Sequence, residues 1–257
     1  MESRLGTAHA DAADETVIAA APWRRMLPAV LLLAVLFAAM RFEGMLGPSS
    51  LRPLLPASFI LMMLAPWLLL NRDGRRDIGL RAPASWWWVV PAVLAGALAA
   101  LACFALGMVF FGPRPDNWFV TVAASYRGMM DTSRFSMPML YLVFTAPALL
   151  FSPIGEEIFF RGLLQRALES RCSRPASTVL ECAAFGLVHL CHHGLFYGAT
   201  GLALRPVSGV SWVALMFLTA LLLATLRQRT GSLFPAMAAH AAFNATMNGV
   251  IFAFLWR

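Results

Sequence analysis

Three short patterns, each pairing residues four apart inside otherwise apolar sequence, mark where this chain carries groups able to do chemistry: Glu156-Glu157 with Arg161, Phe185 with His189, and His240 with Asn244. A step of four residues turns a helix through about 400°, so both members of each pair point the same way. A carboxylate beside an imidazole can activate a water, and an imidazole beside a carboxamide can face a developing oxyanion. One Glu and two His are equally acceptable ligands for Zn²⁺, with a position left open for water. Ionisable groups within membrane-embedded sequence cost about 2.5–3.5 kcal/mol each on the mildest scales, so their presence asks for a reason.

The elements that must position these groups are membrane helices. The 257 residues are 60% hydrophobic and 13% charged, with a mean hydropathy of +0.70, whereas a soluble domain carries about 25% charged residues. The net charge of +7 comes from 20 basic residues, all Arg, most of them beside apolar runs. That pattern describes membrane topology and excludes a nucleic-acid stripe. Cys103, Cys172, Cys182 and Cys191 are scattered and suggest neither a disulfide framework nor a paired zinc motif.

The apolar runs are Met26–Met40, Leu54–Leu70, Trp86–Phe111, Met137–Ile154, Ala176–Leu190, Val210–Leu226 and Leu233–Trp256. They predict an all-α polytopic helix bundle with about seven transmembrane helices, six to eight allowing for error. Residues 1–25 read as a disordered polar tail and 26–257 as one transmembrane domain, with the chemical motifs inside 137–250. Trp118–Ser136 is too polar to span and suits an amphipathic surface helix. Alternate sides of the bundle collect twelve and seven arginines, which puts the N-terminus in the cytoplasm. Counted from the cytoplasmic helix ends at about 1.5 Å per residue, Glu156, His189 and His240 fall at roughly 18, 20 and 12 Å, close enough in depth to share one pocket.

Each residue also has a plainer reading. Glu157 stands four before Arg161 and suits a structural ion pair, whereas Glu156 has no basic residue at +3 or +4. Phe185 is expected to pack or shape the pocket, and Asn248 to continue the His240 and Asn244 face as support. Glu181 is expected to pair with an arginine at the exit of the Met137–Ile154 helix. Cys191, His192 and His193 sit at a helix end and are not expected to be ligands.

Glu-Glu-x-x-x-Arg, Phe-x-x-x-His and His-x-x-x-Asn, in this order and on helices, resemble the CPBP family of intramembrane proteases, also called the Abi or CAAX prenyl endopeptidase type II family. The stretch Thr230–His240 also resembles that family's entry into its last motif helix. The likeness covers about residues 137–250. It implies an endopeptidase that cleaves a membrane-associated protein, such as a CAAX-like or sorting C-terminal tail. Glu156 and His189 would activate water, His240 and Asn244 would face the oxyanion, and Glu157, Arg161, Phe185 and Asn248 would support them. The family has been described as glutamate-dependent and as metal-dependent; in the second case Glu156, His189 and His240 would hold Zn²⁺, so the cofactor is none or Zn.

The expected partners are a membrane-associated protein or peptide substrate and the lipid bilayer, without nucleic acid. The expected location is a bacterial inner membrane, with the site opening towards the cytoplasm. The rival readings are a catalytically silent membrane scaffold or bacteriocin-immunity relative, and an ion-coupled transporter using the same buried charges.

Overall fold

The structure, a computed structural model, describes the backbone of residues 3–256 and the side chains of residues 22–256. The polar tail expected over 1–25 falls largely outside the residues whose side chains are described. Helix α1 (Ser3–Leu46) leads into α2 (Leu54–Leu69), α3 (Arg72–Asp77), α4 (Val89–Phe111), α5 (Trp118–Met129) and α6 (Met137–Glu156). The helix then continues through a π-helical segment, Glu157–Leu164, into α7 (Gln165–Leu168). α8 (Arg174–Val188), a hairpin of β1 (Leu195–Gly198) and β2 (Gly201–Leu204), α9 (Pro206–Thr230) and α10 (Phe234–Val250) complete the chain.

Among the described residues, six stretches are long and apolar enough to cross a membrane: Pro22–Leu46, Ser49–Leu69, Trp86–Phe111, Met137–Leu168, Pro206–Thr230 and Phe234–Leu255. The protein is thus an all-α integral membrane bundle, within the expected six to eight spans. Leu32, Leu68, Val109 and Phe110 are each more than two-thirds exposed, as side chains facing lipid must be.

The seventh expected run, Ala176–Leu190, becomes the 15-residue α8, about 22 Å of helix against a hydrocarbon core of about 30 Å. Its chain still runs from one end of the bundle to the other. At one end Asp77 meets Arg166, Arg24 reaches the Ser170 carbonyl, and Arg227 reaches the Asp77 carbonyl. At the other end Thr121 meets His193 and Asp116 meets Arg205. The links between α2 and α4, α7 and α8, and α9 and α10 gather at the first end, where Arg24, Arg25, Arg72, Arg76, Arg81, Arg171, Arg174 and Arg229 are exposed.

Small residues set the helix spacing. Ala92, Gly96 and Ala100 form a buried stripe of step four along α4, which packs extensively on α10. A Cβ on Gly96 would overlap the Ala239 backbone carbonyl, so only glycine allows this approach. Gly155 plays the same part between α6 and α2, where a Cβ would sit 2.6 Å from the Phe59 carbonyl oxygen. The approach at Gly155 brings the next residue, Glu156, into the interior. The expected amphipathic surface helix is α5, with Trp118, Phe119, Val122 and Ala123 buried and Asn117 capping its first turn through the Phe119 N–H.

Candidate active site

Glu156 and Glu157 are adjacent in sequence, yet both are fully buried. An α-helix would turn neighbours about 100° apart; here the wider π-helical turn begins at Glu157, and all eight of its residues are buried. The two carboxylates are used differently. Glu157 Oε1 accepts from His240 Nδ1 at 2.8 Å, and its Oε2 lies 3.3 Å from Arg161 Nε. Arg161 Nε is also 3.4 Å from Glu181 Oε1, and its guanidinium lies over the Phe185 ring, 4.1 Å from the centroid. Glu157, Arg161 and Glu181 therefore form a buried charge chain joining α6, its π-helical extension and α8. Pairing was expected for both Glu157 and Glu181.

Glu156 has a partner the sequence reading missed. Arg41 of α1, 2% exposed, pairs through Nη2 with Glu156 Oε1. Ser152 Oγ, one turn earlier on α6, donates to the same oxygen at 3.3 Å. Glu156 Oε2 has no hydrogen-bond partner among the described residues and lies 3.9 Å from His240 Nε2. That gap is too long for a direct bond and within reach of a shared water.

His189 closes α8. Its Nδ1 is 2.7 Å from the Phe185 carbonyl; a carbonyl only accepts, so Nδ1 carries the proton and Nε2 of the neutral ring is the acceptor. The Phe185 ring packs on His189 at 4.4 Å between centroids, so Phe185 fixes the imidazole through both its ring and its carbonyl. Asn244 donates from Nδ2 to the Ala148 carbonyl at 2.9 Å. Asn248 donates to Thr145 Oγ1 at 3.1 Å and accepts from Tyr126 at 2.8 Å, tying α10 to α6 and α5.

A cavity of about 520 Å³ joins these groups. His189, His240, Asn244 and Phe185 line it, together with Arg41, Ser152 and His192. Glu156 lies in the wall behind Arg41. His192 stacks on His189, 5.2 Å between centroids, whereas His193 turns away to Thr121 and Ser208 and Cys191 donates to the Val188 carbonyl. The structure therefore brings the four residues expected to be catalytic into one neighbourhood.

The opening was expected towards the cytoplasm; Met45, Leu55 and Met129 extend the cavity towards the end of the bundle opposite the Asp77–Arg166 pair. Helical rise fixes the depth of a residue but not the side on which space is left.

The zinc alternative was tested on the donor geometry. Among the described residues no group of three or more His, Cys, Asp or Glu side chains is arranged to hold a metal ion. One Glu156 oxygen is held by Arg41, and the Nδ1 atoms of His189 and His240 are hydrogen-bonded, which leaves Glu156 Oε2 and the two Nε2 atoms as the donors that would hold an ion.

Sequence reasoning missed Arg41, Ser152 and His192. Arg41 lies just past the apolar run Met26–Met40, and α1 continues for five more residues, to Leu46.

Residues 138–246 match the family model described as Type II CAAX prenyl endopeptidase Rce1-like. No curated protein and no solved structure matches the chain. The matched segment includes Glu156, Glu157, Arg161, Phe185, His189, His240 and Asn244, and excludes Arg41.

Proposed function

We propose, on the premise that residues 138–246 carry a domain of the CPBP family, that this membrane protein is an endopeptidase acting on the C-terminal tail of a membrane-associated protein. The observation that carries the reading is the single cavity lined by His189, His240 and Asn244 from two separate helices, with Glu156 held behind its wall.

In the proposed reaction Glu156 and His189 Nε2 take a proton from a water as it attacks the scissile carbonyl. Breakdown of the tetrahedral intermediate cleaves the C–N bond, and the same proton passes to the departing amine. The products are a new carboxylate and a new amine. His240 and Asn244 face the oxyanion, and the Glu157, Arg161 and Glu181 chain holds His240 and Phe185 in register. No step uses a metal, and activity is expected to survive a zinc chelator.

The sidedness narrows the substrate. With the Arg-rich end in the cytoplasm, the cavity belongs to the other half of the membrane, which suits a sorting tail of an exported protein better than a prenylated cytoplasmic one. In intact cells, Ala199→Cys at the exposed tip of the β1–β2 hairpin is expected to react with a membrane-impermeant maleimide. Protection of that cysteine would reverse the orientation and restore a cytoplasmic substrate.

The activity is tested by mass spectrometry of protein C-termini in the source organism, comparing wild type with Glu156→Gln at equal protein level. Defined C-terminal fragments are expected to vanish in the variant. Coincident profiles would overturn the protease reading in favour of a scaffold.

A further inference from the structure

Arg41 is more than the counter-charge of Glu156. Only Nη2 of its guanidinium is used in the ion pair; Nε and Nη1 have no hydrogen-bond partner among the described residues, although the side chain is 2% exposed. A buried guanidinium with unsatisfied N–H groups is costly. Those groups belong to a residue that lines the cavity, whose other lining includes Phe59, Val122, Phe144, Met216 and Met247. The rest of the wall offers few donors, since the Asn244 amide is committed to Ala148 and His240 Nδ1 to Glu157.

The protein contains its own precedent for what completes such a group. Arg161, equally buried, also has three nitrogens without hydrogen-bond partners among the described residues, but its charge is balanced by two carboxylates, Glu157 at 3.3 Å and Glu181 at 3.4 Å, and Phe185 covers one face. Arg41 has one carboxylate, Glu156, and the Phe59 ring 5.0 Å from its Cζ. Nη1, together with the second N–H of Nη2, offers an end-on fork suited to a second carboxylate.

We propose that Arg41 is a substrate-binding residue that takes a carboxylate of an otherwise apolar peptide into the cavity. This rests on the proteolytic reading and adds a specificity to it. A carboxylate on Nη1 and the second N–H of Nη2 would share Arg41 with Glu156, as Glu181 shares Arg161 with Glu157. It would draw the guanidinium partly off Glu156 Oε1, so that binding of the correct substrate makes the base more available. Arg41 lies on α1, outside the matched residues 138–246, so the feature belongs to this chain's own assembly of α1 against α6.

The test is binding to the purified full chain in lipid nanodiscs, by titration calorimetry, with four probes. They are acetyl-Ile-Val-Met with a free C-terminus, its C-terminal amide, acetyl-Ile-Asp-Val-Met amide, and decanoate. At least one of the two peptides bearing a carboxylate is expected to bind about tenfold to a hundredfold more tightly than the neutral amide, the range of a charge-assisted hydrogen bond. Whichever is preferred identifies the carboxylate as terminal or side-chain.

Arg41→Gln is expected to abolish the difference. Because that change leaves Glu156 without its partner, Arg41→Gln with Glu156→Gln serves as a neutral variant of matched shape. Equal binding of neutral and charged peptides, no binding of any peptide, or discrimination that survives in either variant would overturn the proposal. Decanoate binding as tightly as the peptides and depending on Arg41 would overturn the peptide assignment in favour of a fatty acid. The binding outcome is independent of whether Glu156→Gln abolishes proteolysis, so the two readings can fail separately.

Discussion

Arg41 and Arg161 are both buried arginines inside a membrane bundle, and they sit on opposite sides of the same pair of glutamates. Arg161 is enclosed by two carboxylates and an aromatic ring, away from the cavity. Arg41 has one carboxylate and lines the cavity; both arginines keep nitrogens without hydrogen-bond partners among the described residues, so the contrast is in carboxylates and in access. A fully enclosed charge holds helices in place; one enclosed on a single side is available to a ligand. The difference separates a structural half of the site, running through Glu157, from the half running through Glu156 that is proposed to react.

The largest expected effect breaks the comparison if it fails. Glu156→Gln should lower cleavage about 10²- to 10⁴-fold, the usual contribution of a general base, compared at equal amounts of folded protein because the change also leaves Arg41 without its carboxylate, and measured with the C-termini identified by mass spectrometry. Full activity would mean that the two glutamates are not divided in this way.

Arg161→Gln should instead act on stability. Removing one partner of a buried ion pair costs about 3–5 kcal/mol, here leaving Glu157 and Glu181 facing each other. Thermal unfolding in detergent should show a large loss, and adding Glu181→Gln should recover part of it. An equal loss in both variants would show that Glu181 contributes nothing to the chain of charges.

Gly96→Ala asks whether packing alone can displace the reactive half. The added methyl collides with the Ala239 backbone one residue before His240, and overpacking of this kind costs about 1–3 kcal/mol. Unfolding midpoint and cleavage are both expected to fall. Unchanged activity would mean that α10 can shift without disturbing His240.

The smallest effect concerns the far end of the bundle. His193, in the link between α8 and α9, is held down to about 4 from its ordinary 6.5 by burial and then by the neighbouring Arg205. A depressed histidine stabilises the fold while neutral, so its contribution is present above pH 6.5 and is lost as pH falls towards 4. The unfolding midpoint should drop across that window, and His193→Gln should flatten the slope. Neither change should touch the Arg41 and Arg161 contrast, because His193 bonds to Thr121 and Ser208 rather than lining the cavity.

Much of this arrangement was legible before any coordinates. Apolar runs of membrane length gave the bundle, since lipid tolerates few alternatives to helices, and steps of four put Glu157 beside Arg161 and Phe185 beside His189. Two things escaped. The π-helical segment lets two adjacent glutamates both face inward, which α-helical periodicity does not allow for. The Arg41 pairing joins residues 115 apart, a separation at which spacing carries no signal.

The sequence by itself determined the helices, the buried ionisable groups proposed to react and the pairs that share a helix face, because these depend on local geometry and on the cost of charge in lipid. Only the tertiary structure decided which glutamate meets which arginine, on which side of them the cavity lies, and that His192 enters it while His193 leaves. Those outcomes follow from how closely glycine and alanine stripes let the helices approach, a property of pairs of helices and of no single segment.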